Sequence, residues 1–232
     1  MLLELLSPLN PAPAVWLQLV VAGVWVVGVI AIAEGLNLVG KAEPEVVRKI
    51  VHIGIGNVIL LAWWLQLPTW MGVAASLLFS VVTYLSYSFP ILPGVNSVGR
   101  KSLGTFFYAL SFACLIGIFW PLAPQFALLG ILIMAWGDGL AALIGQRFGR
   151  HPYQIWGDRK SLEGSATMLL VSFAISVLTL PTLPGGLLQP LLIAAIVAIA
   201  ATLLESFSKY GVDNLSVPLG SAAIAYGLVQ IF

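Results

Sequence analysis

The chain has 232 residues, of which 60% are hydrophobic and 8% are charged, with a formal net charge of +1 and a mean hydropathy of +1.03. Soluble domains carry about 25% charged residues, so this composition excludes an ordinary soluble fold and predicts a membrane protein. The charge balance gives no basic patch for nucleic acid, and the single cysteine, Cys114, excludes an internal disulfide.

Apolar runs of membrane-spanning length follow one another along the chain. A helix needs about 20 apolar residues, within a range of about 17–25, to cross the hydrocarbon core. The pattern predicts one all-α, polytopic transmembrane domain over residues 1–232, with eight helices, or seven if a short run does not cross. The predicted spans are residues 12–33, 51–67, 69–89, 103–120, 124–146, 165–181, 187–205 and 216–232. We interpret the first as a retained span rather than a signal peptide, because no Lys or Arg precedes it.

The basic residues predict how these spans are oriented. All ten Lys and Arg residues fall in alternate loops, and the positive-inside rule assigns those loops to the cytoplasm, with the N-terminus outside. The acidic residues follow the same side, except Glu4. We therefore expect an integral membrane protein of bacterial type whose ionisable chemistry lies on the cytoplasmic face.

The first polar cluster is RKIVHIGIGN, at residues 48–57. On a helix, Arg48 and His52 share one face, and Lys49 and Asn57 share the next. Cations at a helix end can extend to the lipid headgroups, but polar groups deeper in a span are costly and usually face a bundle interior. We take Arg48 and Lys49 as candidate phosphate ligands and His52 as a candidate catalytic residue.

The second cluster is GVNSVGRKSLGT, at residues 94–105. It is not a P-loop, because no βαβ unit surrounds it. Ser102 is positioned to cap the fourth span, and a helix N-terminus offers free N–H groups to an anion. Taken alone, the stretch is explained as a capped helix start after a basic loop. Lys101 and Ser102 are phosphate-binding candidates only together with the other clusters.

The third cluster is AWGDGLAALIGQRFG, which places Asp138 inside the fifth span. Small residues recur beside it every four positions and form a surface for close helix packing. They are Gly137, Ala141, Gly145 and Gly149. A carboxylate inside the membrane marks a candidate functional site, although a structural ion pair with a nearby cation is the alternative. We predict that Asp138 is a catalytic base or a metal ligand.

The fourth cluster is RHPYQIWGDRKSLEGS, at residues 150–165. Ser161 is expected to cap the sixth span, and Glu163 in its first turn is favourable near the positive end of the helix. Asp158, Arg159, Lys160 and Glu163 also bring both signs of charge together. Lysine and backbone N–H groups hold phosphate oxygens, and carboxylates hold the bridging Mg²⁺. We predict that Lys160 and Ser161 bind phosphate and that Glu163 binds the metal. Lys160 is also a candidate catalytic residue.

The fifth cluster is LESFSKYGVDNLSVPLG, at residues 204–220. Glu205 and Lys209 have the spacing of a helical ion pair. Asp213 and Asn214 fall in the loop before the last span, where turn chemistry is the simple explanation. In company with the other clusters, Asp213 becomes a candidate metal ligand and Asn214 a candidate phosphate ligand.

All five clusters lie near one membrane interface, which distinguishes two classes of function. A transporter would place polar residues at the bilayer midplane, on broken helices. A one-sided site favours an enzyme that takes an anionic, water-soluble substrate from the cytoplasm and an apolar substrate from the bilayer. A transporter remains the alternative from another class.

Five motifs in this order, RKIVH, KSLGT, WGDGLAALIGQRFG, KSLEGS and VDNLSVPL, resemble the polyprenol kinase family of integral-membrane lipid kinases. The resemblance covers about residues 45–220, and the compact chain looks most like the phytol kinases of cyanobacteria and plastids. It implies CTP as phosphoryl donor, Mg²⁺ as cofactor and phytol as acceptor, giving phytyl phosphate for tocopherol and isoprenoid salvage. A kinase for dolichol, another polyprenol or diacylglycerol, and a CDP-lipid synthase, are the alternatives within the same chemistry. The oligomeric state stays open.

Overall fold

The computed structural model describes residues 7–39, 43–87, 103–156, 158–180 and 186–231. Lys101 and Ser102, which the sequence predicts to bind phosphate, lie outside the described residues, and the side chain of Asp158 is not described. Within the described ranges, eight helical segments follow the eight predicted spans in order.

The helices are numbered here in chain order. They are α1 Val15–Val39, α2 Pro44–Gly56, α3 Val58–Trp64, α4 Thr69–Leu85, α5 Gly104–Phe119, α6 Pro124–Leu132, a π-helical segment Ile133–Asp138, α7 Gly139–Phe148, α8 Leu162–Thr179, α9 Leu188–Ser206 and α10 Asp213–Ile231. The second span is α2 with α3, and the fifth is α6, the π-helical segment and α7. Pro44 and Pro124 occupy the first turns of their helices, where the missing N–H costs nothing.

Six of the segments are long and apolar enough to cross a membrane, by length and composition, among the residues the structure describes. Two shorter apolar helices, Thr69–Leu85 and Gly104–Phe119, complete the set. The predicted all-α, polytopic membrane fold is therefore confirmed. The number of crossings and the outside position of the N-terminus stay predictions.

The fifth span forms the centre of the fold. Its side chains Phe126, Leu128, Ile131 and Ile133 are almost completely buried, and α5, α8 and α10 pack against them. In contrast, α1 is mostly exposed and packs on α2 and α3, as expected for a helix that faces lipid. Asp138, on the fifth span, is therefore held in the protein interior rather than in the bilayer.

The π-helical segment Ile133–Asp138 interrupts this central span. Such segments are rare and occur frequently at functional sites, because the wider turn re-aims side chains. This one packs against α2, α8 and α10, and it ends at Asp138. The buried carboxylate therefore lies at the junction between two helical geometries.

A small β-hairpin that was not predicted from the sequence joins the fifth and sixth spans. Strands β1, Pro152–Ile155, and β2, Asp158–Ser161, pair antiparallel, with Tyr153 opposite Lys160. Each strand has only four residues, too few to give a clear alternating pattern of apolar side chains. The hairpin fixes the direction in which Lys160 points.

The ladder of small residues on the fifth span packs closely against α8, as predicted. A Cβ atom on Gly137 would lie 2.8 Å from Met168 Sδ, and one on Gly145 would lie 3.0 Å from Ser161 Oγ. On the other side, a Cβ on Gly164 would lie 2.9 Å from the carbonyl oxygen of Ala141. This close approach brings the start of α8, with Lys160 and Ser161, beside the helix that follows Asp138.

Candidate active site

Seven of the predicted site residues line one cavity of about 820 Å³, within the size range of small-molecule sites. They are Arg48, Lys49, Asp138, Lys160, Ser161, Asp213 and Asn214. The cavity lies at the end of the bundle where α2, α8 and α10 begin and where α7 and α9 end. Its charged lining residues are Arg48, Lys49, Arg159, Lys160, Lys209, Glu45, Asp138, Glu205 and Asp213. A cavity lined by both signs of charge suits an anionic ligand that carries a cation.

The innermost ion pair joins α2 to the π-helical segment. Lys49 Nζ lies 2.5 Å from Asp138 Oδ2, and the side chains are only 3% and 10% exposed. A buried charge costs several kcal/mol unless it is paired, so each residue holds the other in place. The helices approach closely here because Gly56 has no side chain, and a Cβ atom at that position would clash with Ala135.

His52 supports this pair from α2. Its Nε2 lies 3.1 Å from the Met134 carbonyl oxygen and 3.5 Å from Asp138 Oδ2. Its ring stacks on Tyr108, with 4.0 Å between ring centroids, and the Tyr108 hydroxyl donates to the His52 carbonyl oxygen. Because a carbonyl oxygen only accepts, the contact with Met134 places the proton on Nε2. His52 is buried and is not one of the cavity-lining residues, so this geometry suits positioning Asp138 better than accepting a proton.

Arg48 faces the cavity and forms an ion pair with a carboxylate on the same helix. Its Nε and Nη2 donate to the two carboxylate oxygens of Glu45, at 2.9 and 2.5 Å. Planar two-point pairing of this kind fixes both side chains. Arg48 therefore borders the cavity beside Lys49.

A second ion pair joins the hairpin to the end of α9. Lys160 Nζ lies 2.5 Å from Glu205 Oε1, and it also donates to the Glu205 carbonyl oxygen. The predicted pairing of Glu205 with Lys209 is wrong, because α9 ends at Ser206 and Lys209 lies beyond the helix, over the Tyr210 ring. Sequence reasoning did not count Glu205 as a site residue, although a carboxylate at the inner end of a span was an available signal.

Ser161 caps α8, as predicted. Its Oγ accepts a hydrogen bond from the Gly164 N–H at 3.2 Å. Strand β2 leads directly into this helix, so Lys160 and Ser161 stand at the junction and both line the cavity. A phosphate in this part of the cavity would meet a lysine beside the positive end of a helix.

Glu163 lies apart from the other candidates. Its Oε1 is 2.7 Å from His151 Nδ1, and its Oε2 accepts from the His151 backbone N–H at 3.3 Å. It is not among the described residues that line the cavity, and its partner His151 is largely exposed. The structure does not bring Glu163 together with Asp138, and its role as a metal ligand stays a prediction.

Asp213 and Asn214 lie in the first turn of α10 rather than in the predicted loop. The Asn214 backbone N–H and side-chain amide both donate to Asp213 Oδ1 at 3.0 Å, and the amide also donates to the Gly211 carbonyl. Asp213 Oδ2 has no hydrogen-bond partner among the described residues. Both residues line the cavity, and Asp213 presents this second oxygen atom as an available ligand.

Two carboxylates of the cavity are candidate ligands for a divalent cation. Asp138 and Asp213 line the same space and are close enough to interact electrostatically. In the described part of the chain, no group of three or more His, Cys, Asp or Glu side chains could hold a metal ion. Mg²⁺ is commonly bound by one or two carboxylates plus substrate phosphates. The site therefore suits a metal that is shared with a bound nucleotide.

Known proteins similar to this chain share most of its length. It is 52% identical over 219 residues to the phytol kinase of Synechocystis sp., covering 94% of each chain. It is 30% identical over 220 residues to phytol kinase 1, chloroplastic, of Arabidopsis thaliana, covering 83% of this chain and 69% of the relative. It is 29% identical over 214 residues to farnesol kinase, chloroplastic, of the same plant, covering 81% and 66%.

No protein-family model matches the chain, and no solved structure matches it. The three relatives nevertheless cover between 81% and 94% of the sequence. The motifs, the membrane-embedded helices and the relatives agree, and the chain belongs to the polyprenol kinase family.

Proposed function

We propose that the protein is a phytol kinase that transfers the terminal phosphoryl group of CTP to phytol and releases phytyl phosphate and CDP. The relatives, which are phytol and farnesol kinases, support phosphorylation of a prenyl alcohol. The observation that carries it is one cavity in which the pairs Lys49–Asp138 and Lys160–Glu205 both face the same space. Catalysis of phosphoryl transfer consists largely of positioning and charge neutralisation, and such a cavity supplies both.

The donor phosphates would bind at the outer part of the cavity. Lys160 stands at the junction of hairpin and helix, and Arg159 and Lys209 line the same space. Charge-assisted hydrogen bonds to phosphate oxygens are about twice as strong as neutral ones, so Lys160 is able to exchange its carboxylate partner for a phosphate. The amide of Asn214 is a further donor, and Arg48 borders the cavity from α2.

Asp213 would hold the Mg²⁺ that accompanies the nucleotide directly, and Asp138 would hold it through one of the waters that Mg²⁺ usually keeps, so that Asp138 Oδ1 is able to take a proton. When bound, the metal neutralises charge on the phosphate oxygens. Lys49 and His52 hold Asp138 Oδ2 from one side, and the Asn214 amide holds Asp213 Oδ1 from another. The chain thus orients both carboxylates through side chains of α2 and α10.

The acceptor hydroxyl requires a group that takes its proton. Asp138 Oδ2 is engaged by Lys49 and His52, whereas Oδ1 has no hydrogen-bond partner among the described residues. In the proposed reaction, the hydroxyl oxygen of phytol forms a bond to the terminal phosphorus of CTP. The bond from that phosphorus to the CDP oxygen breaks, and the hydroxyl proton passes to Asp138 Oδ1.

The membrane sidedness of the cavity is part of the proposal. The positive-inside rule places this end of the bundle in the cytoplasm, where CTP is available. Single cysteines introduced at Arg150 and Lys209, in a Cys114→Ser background, should react with an impermeant thiol reagent from the cytoplasmic side only. Cysteines at Gln66 and Ala123 should react from the opposite side only, and a mixed pattern would overturn this orientation.

Product analysis tests the reaction itself. Purified protein in detergent, given labelled CTP and phytol with Mg²⁺, should form phytyl phosphate and CDP in equal amounts. Release of pyrophosphate would instead identify a CDP-lipid synthase, which attacks a different phosphorus of the same nucleotide. Parallel reactions with farnesol, geranylgeraniol, undecaprenol and diacylglycerol compare acceptors, and parallel reactions with ATP and UTP compare donors. Turnover of long polyprenols alone would retain the kinase and overturn phytol as the acceptor.

A further inference from the structure

A second, apolar depression of about 540 Å³ lies beside the active-site cavity. The hairpin turn, the last turns of α9 and the loop that leads into α10 form its walls. We call it the aromatic groove, and its lining residues are Trp156, Leu203, Leu204, Phe207, Ser208, Lys209, Tyr210, Val212 and Ser216. Trp156, Phe207 and Tyr210 are at least half exposed, so their rings form an open surface rather than a packed core.

The aromatic groove is continuous with the active-site cavity. Ser208, Lys209 and Tyr210 line both spaces. Lys209 Nζ lies 5.0 Å from the centroid of the Tyr210 ring, so a cation marks the boundary between them. A ligand that lies in the groove can therefore place one end among the lysines and carboxylates of the cavity.

Two of the aromatic residues of the groove have backbone dihedral angles that are rare for residues other than glycine. Trp156 and Tyr210 have φ angles of 48° and 59°, in the left-handed region that residues other than glycine rarely adopt. Such conformations cost about 1–3 kcal/mol and cluster at ligand-binding sites. The Trp156 ring also packs edge-on against Phe207, with 6.0 Å between centroids. The fold thus directs both rings towards one groove despite a cost in backbone strain.

The two serine hydroxyls of the groove bond to one another and to the backbone. Ser208 Oγ donates to the Leu204 carbonyl oxygen at 2.7 Å, and it lies 3.2 Å from Ser216 Oγ. A site that reads a nucleobase offers donors and acceptors to the edge of the base. Apart from the cation at its boundary with the cavity, the remaining wall consists of the three aromatic rings and of the aliphatic side chains of Leu203, Leu204 and Val212. The chemistry of this lining favours a hydrocarbon chain over a cytosine ring.

We infer that the aromatic groove binds the isoprenoid chain of the acceptor alcohol and directs its hydroxyl into the cavity. The inference rests on the proposed kinase function, for which it supplies the missing acceptor site. Leu203 is part of the groove and also of the exposed apolar surface of α9, with Ile196 and Ile199. The groove therefore opens onto the surface that faces lipid, and a chain can enter it sideways from the bilayer.

The groove positions the hydroxyl of the acceptor alcohol more than it adds to the affinity for that alcohol. Lipid tails are as apolar as the groove, so moving a prenyl chain from the bilayer into it yields little hydrophobic free energy. Holding the hydroxyl in a reactive position, in contrast, lowers the entropic part of the barrier. A blocked groove should therefore reduce kcat/KM for long acceptors and leave the KM for CTP unchanged.

The test uses Leu203→Trp, which fills the groove from an exposed helix position. Leu170→Trp on α8 is the matched control, because Leu170 is also an exposed leucine on a membrane helix and lies outside both spaces. We expect Leu203→Trp to lower kcat/KM for phytol about tenfold and that for a ten-carbon prenyl alcohol less than about twofold. Leu170→Trp should match the wild type. An equal loss for both acceptors, or a raised KM for CTP alone, would overturn the inference.

A photolabelling experiment locates the binding site of the isoprenoid chain and does not depend on catalytic activity. A phytol analogue with a diazirine at the far end of its chain should label residues 203–216 of the wild type, and excess phytol should compete. Leu203→Trp should abolish this labelling, and Leu170→Trp should retain it. Labelling spread over the lipid-facing helices would overturn the groove. Labelling in the groove by a protein that phosphorylates no alcohol would support the groove and overturn the proposed kinase function.

Discussion

The two lysine–carboxylate pairs of the cavity are chemically alike but are built into different parts of the molecule. Lys49 and Asp138 are 89 positions apart and meet inside the bundle, with side chains 3% and 10% exposed. Lys160 and Glu205 meet at the polar end, where the hairpin touches α9, and are 17% and 11% exposed. The two carboxylates are about equally buried, and the greater exposure of Lys160 separates the pair that is able to change partners from the pair that fixes geometry.

The surroundings of the pairs strengthen this contrast. Asp138 Oδ2 contacts both Lys49 and His52, and His52 is held by Tyr108. The Glu205 end is bordered by hydroxyl groups, since Tyr153 bonds Ser206, whose Oγ donates to Glu205 Oε2 at 3.4 Å. Hydroxyl groups rotate to serve new partners at little cost. We therefore propose that the inner pair, Lys49–Asp138, holds the reacting groups in position. In the outer pair, Lys160 exchanges Glu205 for a phosphate of the nucleotide.

Removing the charge of Asp138 should have the largest effect. Asp138→Asn leaves Lys49 buried without its ion-pair partner, which costs about 3–5 kcal/mol of stability. It also removes the proposed base and metal ligand, so kcat should fall about 100-fold or more. Turnover with labelled CTP and thermal unfolding in detergent measure the two losses separately.

A double variant separates the structural part of that effect from the chemical part. Replacing a buried ion pair by apolar side chains of similar size is often neutral, so Lys49→Met with Asp138→Leu should recover most of the lost stability. It should recover none of the lost turnover. A double variant as active as the wild type would reduce the inner pair to a structural contact.

Changes at the outer pair should affect nucleotide binding more than stability. Lys160→Met removes a proposed phosphate ligand, and we expect the KM for CTP to rise about tenfold. Its destabilisation should be smaller than that of Asp138→Asn because the pair is more exposed. Lys160→Arg keeps the charge and should restore part of the affinity. An unchanged KM for CTP in Lys160→Met would contradict the division of roles between the pairs.

The Mg²⁺ dependence of activity distinguishes the proposed roles of Asp213 and Glu205. EDTA should abolish activity and Mg²⁺ should restore it. Asp213→Asn removes one of two proposed carboxylate ligands, so the Mg²⁺ concentration for half-maximal activity should rise about tenfold. Glu205→Gln is the matched control, since Glu205 lines the same cavity but is assigned to Lys160, and it should leave the Mg²⁺ requirement near that of the wild type. A similar rise in both variants would remove the specific assignment of Asp213.

The comparison of the pairs also shows what the sequence could predict. The helices follow from long apolar runs, and the capping role of Ser161 follows from its place before α8. Lys49, Asp138 and Lys160 stood out because charged residues are rare in so apolar a chain. Each of these predictions uses only local composition and spacing, and each identifies a residue without identifying its partner.

The pairing itself depends on tertiary packing, which no local pattern contains. Lys49 meets Asp138 because Gly56 lets α2 approach the central span. Lys160 meets Glu205 because an unpredicted hairpin turns it towards α9. The expected pair Glu205–Lys209 assumed that α9 continues by one further turn. The π-helical segment at Asp138 left no signal in the sequence.

Replacing Glu163 should have the smallest effect on activity. Of the metal ligands that the sequence predicts, Glu163 is the one that does not line the cavity. Its carboxylate contacts the exposed His151, and exposed pairs of this kind contribute little. We expect Glu163→Gln to change kcat/KM less than about twofold, with His151→Gln as the matched variant that breaks the same contact. Kinetics at several Mg²⁺ concentrations, beside Asp138→Asn, give the measurement. A collapse of kcat in Glu163→Gln but not in His151→Gln, at unchanged stability, would restore Glu163 to the metal site. It would also mean that the start of α8 rotates towards the cavity when the nucleotide binds.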